Sequence, residues 1–495
     1  MINLKRTLTL LLVMAVLLTA CQYPGPAPEI DNTAIPFPTG VTTSTSQPSN
    51  NQAPNSFLPV VAREPTATPT PSPESLRPNI LLIISDDQRY DTMEVMPHTN
   101  AWIFDKGVTF SRAYVTTAKC CPSRSTILTG MLAQNHGVLV NADPLSRKTF
   151  VDAFHESGYY TGLVGKYLNS WNGTPRPEFD YWVALEGENS PYYDPRLNVQ
   201  GEWTEHSGYI THILGAFAQQ FLQNSLYQEK PFLLIFSPNA PHAPAHAAPG
   251  DDNLFADLAP YRPDSFDEKD VSDKPQWLQN YPRLTEKEIQ EIDQFRQKQL
   301  QSLHALDQTI DSLMTFLSTS GELENTVVLY LSDNGFFWGE HRISTEKDWA
   351  YEEAIHVPMA LRYPPLTTDP YVSDQLVANI DIAPTFFALA GMPVPKEVDG
   401  RSLVPLIQGK RNGRDKLLIE SWRRAEPYLA VRTAEYLYVE YAHDLTELYD
   451  MDEDPHQLNN IAQDPDYAVV VAELHDYLEK VRANLSAELT LRWQD

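Results

Sequence analysis

Uninterrupted apolar runs separated by helical patterns are the feature that most constrains the fold of this chain. Asn79–Ser85 reads Asn-Ile-Leu-Leu-Ile-Ile-Ser, and similar runs follow at Thr161–Val164, Phe232–Ser237 and Val327–Ser332. A run without polar alternation suits a strand that is buried on both faces of a parallel sheet. These four segments therefore predict the centre of a parallel sheet.

Helical patterns lie between these runs. Thr285 and Glu288 form a capping-box pair, and apolar residues then recur at a period of 3.6 as far as Gly321. Another helix is predicted from the apolar residues between Ile210 and Phe221. Strands that alternate with helices predict right-handed βαβ crossovers, and hence an α/β fold with a mostly parallel sheet flanked by helices.

The pattern changes after about residue 393. Tyr436–Tyr441 alternates like an antiparallel strand, and a helical pattern runs from Ala468 to Leu485. We therefore predict a smaller C-terminal α+β subdomain over residues 394–495.

The N-terminal segment carries export and linker signals. Lys5 and Arg6 precede an apolar run, and the run ends in Leu18-Thr19-Ala20-Cys21, which resembles a bacterial lipobox. We interpret residues 1–21 as a lipoprotein signal peptide with Cys21 as the lipidation site; an ordinary signal peptide is the alternative. Residues 22–77 are rich in Pro, Ser, Thr and Asn, which predicts a disordered linker. The protein is expected to be exported and held at the bacterial cell envelope, at the cell surface or in the periplasm, through lipid alone.

Charge and cysteine content narrow the range of partners. The 495 residues include 37 Lys and Arg against 65 Asp and Glu, a net charge of −28. This acidic balance argues against a nucleic-acid partner, which would require a basic stripe. The three cysteines, Cys21, Cys120 and Cys121, are too few for a disulfide framework.

Oxygen-rich pairs follow two of the predicted strands. Asp86-Asp87 comes after the first strand, and Asp333-Asn334 comes after the last. Ligands gather beyond the carboxyl ends of parallel strands, and hard oxygen ligands suit Ca²⁺ or Mg²⁺ better than zinc. Either pair alone is better explained by a turn, but two such pairs at strand ends, in a chain that also has the Cys-Pro-Arg motif, favour a metal site.

Cys120-Cys121-Pro122-Ser123-Arg124 is the strongest chemical signal. Cys, Pro and Arg at this spacing are typical of sites where an enzyme oxidises the cysteine to formylglycine. Pro122 suits the first turn of a helix, so Cys120 is expected at or just before a helix N-terminus. The helix dipole and free N–H groups favour negative charge there.

These motifs, taken in order from Arg77 to the C-terminus, resemble the type I, formylglycine-dependent sulfatases. The further matching blocks are Gly165-Lys166-Tyr167-Leu168-Asn169, Ser237-Pro238-Asn239-Ala240-Pro241-His242, Gly339-Glu340-His341 with Lys347 and Tyr351-Glu352-Glu353, and Glu447-Leu448-Tyr449-Asp450. The double cysteine and the Gly-Lys-Tyr-Leu-Asn block are similar to the N-acetylglucosamine-6-sulfatase branch. The resemblance implies an alkaline-phosphatase-like fold, a catalytic domain over residues 78–393, and hydrolysis of sulfate esters of a sulfated carbohydrate such as N-acetylglucosamine-6-sulfate.

The same resemblance implies the site and its cofactors. Ca²⁺, or Mg²⁺, would bind to Asp86, Asp87, Cys120, Asp333 and Asn334. A formylglycine-generating enzyme would oxidise Cys120, and the aldehyde hydrate would offer one hydroxyl to attack sulfur and a second to expel sulfate. Arg124 would brace the formylglycine, Lys166 and Lys347 would hold sulfate oxygens, and His242 would contact the sulfate and protonate the leaving alcohol.

One position departs from the family pattern. Many sulfatases have a histidine two residues after the lysine that aligns with Lys166, where it serves as a base, but this chain has Leu168. Asn169 or His136 could take over part of that role. Cys121 is interpreted as the variable position of the motif.

One alternative metal site can be discounted, and two alternative functions remain. His242 and His246 have the spacing of a zinc pair on a helix, but the neighbouring prolines exclude a helix there. Phosphonate monoester and phosphodiester hydrolases belong to the same superfamily and form one alternative. A lipoprotein that only binds sulfated glycans forms another.

Overall fold

The structure is a computed structural model that describes residues 77–187, 190–424 and 426–494. The predicted signal peptide, Cys21 and the linker up to residue 76 lie outside these residues. Within the described ranges, no helix has both the length and the apolar character needed to cross a membrane.

Ten strands form the central sheet, and smaller sheets accompany it. In chain order the strands are β1 (Asn79–Ser85), β2 (Val108–Phe110), β3 (Ala113–Tyr114), β4 (Tyr160–Gly165), β5 (Tyr181–Leu185), β6 (Arg196–Val199), β7 (Glu202–Glu205), β8 (Phe232–Ser237), β9 (Thr326–Ser332), β10 (Met359–Arg362), β11 (Tyr371–Ser373), β12 (Val377–Ala378), β13 (Leu417–Ser421), β14 (Tyr428–Arg432), β15 (Tyr436–Tyr441) and β16 (Glu447–Asp450). The central sheet has the order β11-β2-β10-β9-β1-β8-β4-β5-β6-β7, and β12 pairs with β3.

The middle of the central sheet is parallel, as predicted. Strands β9, β1, β8, β4 and β5 are parallel neighbours. Antiparallel pairs flank them, with β10 on one side and β6 and β7 on the other. The sheet is therefore mixed, with a parallel centre that contains all four predicted strands.

Each face of this sheet packs against a separate apolar cluster. Every residue of β1, β8 and β9 is buried. Leu81 and Ile83 belong to one cluster, and Ile80 and Leu82 belong to the other. Successive side chains of a strand point to opposite faces, so a strand covered on both faces needs the uninterrupted apolar run seen in the sequence.

The helices pack against the sheets or lie in the connections between their strands. In chain order they are α1 (Pro97–Thr99), α2 (Cys120–Thr129), α3 (Ala133–His136), α4 (Phe150–Glu156), α5 (Ile210–Ser225), α6 (Gln276–Gln279), α7 (Glu286–Thr319), α8 (Glu352–Ile355), α9 (Ile382–Leu389), α10 (Val404–Ile407), α11 (Ala468–Arg482) and α12 (Ala487–Gln494). Short 3₁₀ or π segments lie at Tyr90–Val95, Asn100–Phe104, Leu323–Asn325, Asn379–Asp381 and Pro465–Tyr467. The predicted capping box of Thr285 and Glu288 starts α7.

The C-terminal subdomain is a four-stranded antiparallel sheet with a helix on one face. Its strands run in the order β13-β14-β15-β16. Leu474 and Leu478 of α11 pack on Leu429 and Val431 of β14. The predicted α+β architecture is thus confirmed, although α11 ends three residues before the predicted Leu485.

Candidate active site

The two oxygen-rich pairs lie side by side because β1 and β9 are adjacent, parallel and in register, with Ser85 opposite Ser332. Asp86, Asp87, Asp333 and Asn334 are all buried. The Asp87 backbone N–H donates to Asp333 Oδ1 over 3.1 Å, and Asn334 Nδ2 donates to Asp87 Oδ1 over 2.7 Å. The structure therefore brings the four predicted metal ligands from the strand ends together.

Cys120 begins α2, as Pro122 in the first turn predicts. Its side chain is buried, and Lys347 Nζ lies 3.0 Å from Cys120 Sγ. Lys347 Nζ also donates to Asp87 Oδ1. The loop after β9 thus brings a lysine between the cysteine and the carboxylates that follow β1.

Arg124 and Lys166 connect the helix to the other strand ends. Arg124 Nε donates to Asp333 Oδ2 over 2.7 Å, and Arg124 Nη1 donates to Ser237 Oγ over 2.5 Å. Lys166, directly after β4, places Nζ 2.6 Å from Asp86 Oδ2. Ser237, the last residue of β8, was not predicted as a site residue, because a serine at a strand end gives no distinctive sequence signal.

His242 faces the same group from the loop after β8. Its Nδ1 lies 2.7 Å from the Ala243 carbonyl oxygen and must carry a proton to donate to it. Its Nε2 lies 3.7 Å from Asp87 Oδ2. Burial alone would lower the pKa of His242, but Asp86 and Asp87 outweigh burial and raise that pKa to about 9.

Opposite charges compensate each other across this buried site. Burial alone would raise the pKa values of Asp86 and Asp87, but nearby cations, chiefly Lys166 and Lys347 respectively, outweigh it and lower both. The same pairing outweighs desolvation of the two lysines and raises their pKa values. The carboxylates are therefore ionised and the lysine ammonium groups protonated at the same time. Such a site offers negative charge to a cation and positive charge to an anionic ligand.

The oxygen atoms fit a hard divalent cation. Ligand atoms of Asp86, Asp87, Cys120 and His242 all lie within 4.8 Å of one another. Asp86 Oδ1 and Asn334 Oδ1 are buried and have no hydrogen-bond partner among the described residues. Buried polar oxygens are nearly always satisfied, so two unsatisfied oxygens beside a carboxylate are what a Ca²⁺ or Mg²⁺ site requires. Asp333 is not one of the four residues in this group; its carboxylate oxygens accept hydrogen bonds from Arg124 Nε and the Asp87 backbone N–H.

Sequence models of known families match this chain. The model described as Sulfatase matches residues 78–392, more than half of the chain. The chain belongs to the sulfatase family. A second model, described as N-sulphoglucosamine sulphohydrolase, C-terminal, matches residues 339–484 of this sulfatase.

Relatives of this sulfatase include enzymes named N-acetylglucosamine-6-sulfatase. It is 32% identical over 459 residues to the N-acetylglucosamine-6-sulfatase of Capra hircus, covering 79% of this chain and 81% of that protein. It is 28% identical over 514 residues to the N-acetylglucosamine-6-O-sulfatase of Bacteroides thetaiotaomicron, covering 86% and 90%. It is 34% identical over 378 residues to an extracellular sulfatase SULF-1 homolog of Drosophila melanogaster, where the match spans 71% of this chain but only 33% of the relative.

Solved structures confirm the alkaline-phosphatase-like fold expected of a sulfatase. A structure described as a complex with its substrate D-glucosamine-2-N,6-O-disulfate aligns with a TM-score of 0.73 and 26% identity, covering 82% of this chain and 98% of that one. A phosphonate monoester hydrolase of Agrobacterium radiobacter aligns with a TM-score of 0.68 and 21% identity, covering 83% and 96%. At 21% identity the second likeness shows the fold alone.

Leu168 occupies the position at which many sulfatases have a histidine, and its surroundings are apolar. Leu168 is buried in the same apolar cluster as Cys121 and Trp182. Burial raises the pKa of the Cys121 thiol to about 11, and Cys121 Sγ accepts a hydrogen bond from the Asn169 backbone N–H over 3.1 Å. Both polar side-chain atoms of Asn169 are buried without a partner among the described residues.

His136 has no ring nitrogen available for the role of a base at Cys120. Its Nδ1 accepts from the Val138 backbone N–H over 3.0 Å, and its Nε2 lies 3.1 Å from Thr126 Oγ1 inside α2. Burial lowers the pKa of His136 to about 3, so the ring is neutral and holds the end of α2. His246, the other histidine considered for a metal, is exposed and lies outside the group of metal-ligating atoms.

Proposed function

We propose that this sulfatase hydrolyses sulfate esters of a sulfated carbohydrate such as N-acetylglucosamine-6-sulfate, with formylglycine at Cys120 as the nucleophile. The observation that carries the proposal is the position of Cys120 Sγ at the first residue of α2, 3.0 Å from Lys347 Nζ and grouped with Asp86 and Asp87. The N-acetylglucosamine-6-sulfatase relatives support a sugar sulfate as the substrate.

The cations around Cys120 would bind the sulfate group. Formylglycine, made from Cys120 by a formylglycine-generating enzyme, would supply as its hydrate one hydroxyl for attack on sulfur and a second whose deprotonation expels sulfate. Lys166 and Lys347 are buried and charged, and they contact the adjacent carboxylates of Asp86 and Asp87 respectively, so we assign them to the sulfate oxygens. Arg124 would hold the formylglycine side chain in place. Fixed charges in a buried site stabilise a developing anion far more than charges in water do.

His242 would protonate the departing alcohol. The bond from Nδ1 to the Ala243 carbonyl leaves Nε2 facing the carboxylate group, so the proton to be donated is the one on Nε2. A raised pKa keeps that proton in place near neutral pH.

Asp86, Asp87, Asp333 and Asn334 would hold Ca²⁺, with Mg²⁺ as the alternative. The bound cation would supply positive charge that stabilises the nucleophile and the sulfuryl oxygens. The unsatisfied Asp86 Oδ1 and Asn334 Oδ1 support this assignment. Cys120, once converted to formylglycine, would supply a further oxygen ligand for the cation.

Two measurements on one preparation test the proposal. Peptide mass spectrometry should find Cys120 largely as formylglycine in enzyme from a host with the maturation enzyme. Sulfate release from N-acetylglucosamine-6-sulfate should require Ca²⁺, cease with chelator and fall at least about 10³-fold in Cys120→Ala, because that variant has no nucleophile. Full activity with Cys120 present entirely as thiol would contradict the mechanism.

A phosphonate monoester or phosphodiester hydrolase is the alternative activity, because a phosphonate monoester hydrolase has the same fold. The two activities differ in their relative catalytic efficiency on aryl sulfate and aryl phosphonate esters. A strong preference for the phosphonate would reverse our assignment. A chain that only bound glycans would release neither sulfate nor phosphonate.

Cys21 would anchor the protein to the membrane through lipid. The apolar run followed by Leu18-Thr19-Ala20-Cys21 supports this proposal. Full-length protein should fractionate with membranes, and Cys21→Ser should release it; processing that is insensitive to globomycin would contradict lipidation.

A further inference from the structure

Arg423 is a cation near the site that makes no hydrogen bond to any of the residues described by the structure. It lies on the loop between β13 and β14, and its guanidinium carbon lies 3.8 Å from the centroid of the Trp349 ring. Its Nη1 is buried, and no hydrogen bond or ion pair links Arg423 to any residue that the structure describes. A guanidinium stacked on a ring keeps the N–H groups at its edge free to bind an oxyanion.

The chain path places Arg423 close to the nucleophile. Trp349 follows Lys347 by two residues, and Lys347 Nζ contacts Cys120 Sγ. Asp348 lies between Lys347 and Trp349 in the chain and accepts a hydrogen bond from Ser421 Oγ over 3.2 Å. This bond connects the segment of residues 347–349 to the end of β13.

Lys119 lies on the other side of the same segment. It is the residue before Cys120, its side chain is 29% exposed, and its Nζ lies 3.7 Å from Asp348 Oδ2. Lys119 and Arg423 thus flank Asp348. Glu346 and Glu426 are the other acidic side chains in electrostatic contact with Asp348 or Arg423.

We propose that Arg423, assisted by Lys119, binds a second anionic group of the saccharide, separate from the sulfate ester that is cleaved. The guanidinium edge matches the paired oxygens of a sulfate or carboxylate. A chain with a net charge of −28 repels polyanions at long range, so selection of a multiply charged sugar requires local cations of this kind. This inference rests on the proposed function.

The test compares saccharides that differ in their second anionic group. The substrates are N-acetylglucosamine-6-sulfate, D-glucosamine-2-N,6-O-disulfate, and a disaccharide that pairs the 6-sulfated sugar with a uronate carboxylate. We expect kcat/KM to favour one of the two multiply charged substrates, and the favoured one identifies the group as sulfate or carboxylate. Arg423→Ala should lower kcat/KM for that substrate about tenfold through KM, the usual effect of losing a hydrogen bond to a charged group, and leave N-acetylglucosamine-6-sulfate within about twofold. Lys287→Ala, an exposed lysine on α7, is the matched control and should change neither.

Two outcomes overturn the inference: no preference for either multiply charged substrate, or an equal loss on all three in Arg423→Ala. Binding of the same saccharides to Cys120→Ser, measured by calorimetry, tests the recognition without turnover. Discrimination that is present in Cys120→Ser and lost in Cys120→Ser/Arg423→Ala supports the inference even if no saccharide is hydrolysed. If Cys120→Ser does not discriminate between the saccharides, the inference is overturned. Failure of hydrolysis alone overturns only the proposed function.

Discussion

His242 shows how neighbouring groups fix the orientation and the charge of one side chain in this site. The carbonyl of Ala243 fixes one ring nitrogen, and the carboxylates of Asp86 and Asp87 keep the ring protonated. Lys166 and Lys347 are charged as well, but their ammonium groups pair directly with Asp86 and Asp87. Of these three side chains, His242 is the one suited to donate a proton to an alcohol near neutral pH.

His242→Gln is therefore expected to separate substrates by their leaving group. An alkoxide from a sugar leaves slowly without a proton, so kcat on a sugar sulfate should fall about 10²- to 10⁴-fold. Nitrophenolate needs no proton, so 4-nitrophenyl sulfate should lose less than about tenfold. Steady-state kinetics on both substrates measures this split. His246→Gln, an exposed histidine of the same loop, is the control; equal losses on both substrates in His242→Gln would contradict the assignment.

The positions of site residues were predictable from sequence where a local pattern fixes them. Asp86 and Asp333 follow strands whose apolar runs are unmistakable, and Cys120 is fixed by Pro122 two residues later. Arg423 was not predictable, because its place depends on how the C-terminal sheet packs against Trp349. No spacing along the chain carries that information.

At the scale of elements, the central strands were predicted and the flanking strands were not. Strands β1, β8 and β9 are buried along their whole length, so their sequences are predominantly apolar and show no polar alternation. The flanking strands β2, β10 and β11 have three or four residues and owe their conformation to their neighbours. Short strands carry too little periodicity to be recognised from sequence alone.

Gly165, the last residue of β4, shows how closely two strand ends approach at the site. Its φ is +122°, and a Cβ added there would lie 1.9 Å from the Ser237 carbonyl oxygen, which also accepts the Lys166 N–H over 2.6 Å. A side chain at this position would push β4 away from β8 and displace Lys166 from Asp86.

Gly165→Ala should therefore lower both stability and activity. We expect a loss of at least about 3 kcal/mol in the free energy of unfolding, together with reduced sulfate release by the folded fraction. Gly158→Ala is the matched control, because Gly158 also has a positive φ of +95° but no atom within 4 Å of an added Cβ. It should lose only about 1 kcal/mol and retain activity. Denaturant midpoints and activity of both variants measure the difference, and equal effects would show that the backbone conformation alone is responsible.

At the scale of the whole molecule, the C-terminal sheet is part of the active-site structure. The backbone N–H of Glu420 on β13 donates to the carbonyl oxygen of Thr116 over 2.8 Å. Thr116 lies four residues before Cys120. Ser421 holds Asp348 beside Lys347. The sheet therefore supports both the start of α2 and the loop that carries Lys347, which explains why a site at the end of a parallel sheet needs a second subdomain.

The Glu420 side chain lies at this junction and is fully buried. Its oxygens accept from the Trp422 indole N–H over 2.6 Å and the Gln134 backbone N–H over 3.3 Å. Burial raises the pKa of Glu420 from 4.5 to about 7, although these donors oppose the shift. The folded chain therefore retains a proton that the unfolded chain releases as pH rises from 4.5 to 7.

Folding stability should consequently fall across this interval, because the unfolded state binds fewer protons. A shift of this size corresponds to about 3 kcal/mol, present below pH 4.5 and lost by about pH 7. Glu420→Gln cannot ionise, so the difference in unfolding free energy between wild type and variant should change by that amount between the two pH values and stay constant above pH 7. Titrating groups elsewhere cancel in this difference. Denaturant unfolding of both proteins from pH 4.5 to 8 measures it, with Glu202→Gln on the exposed strand β7 as the control. A difference that does not vary with pH would mean that Glu420 is ionised in the folded protein and that the junction holds a buried charge.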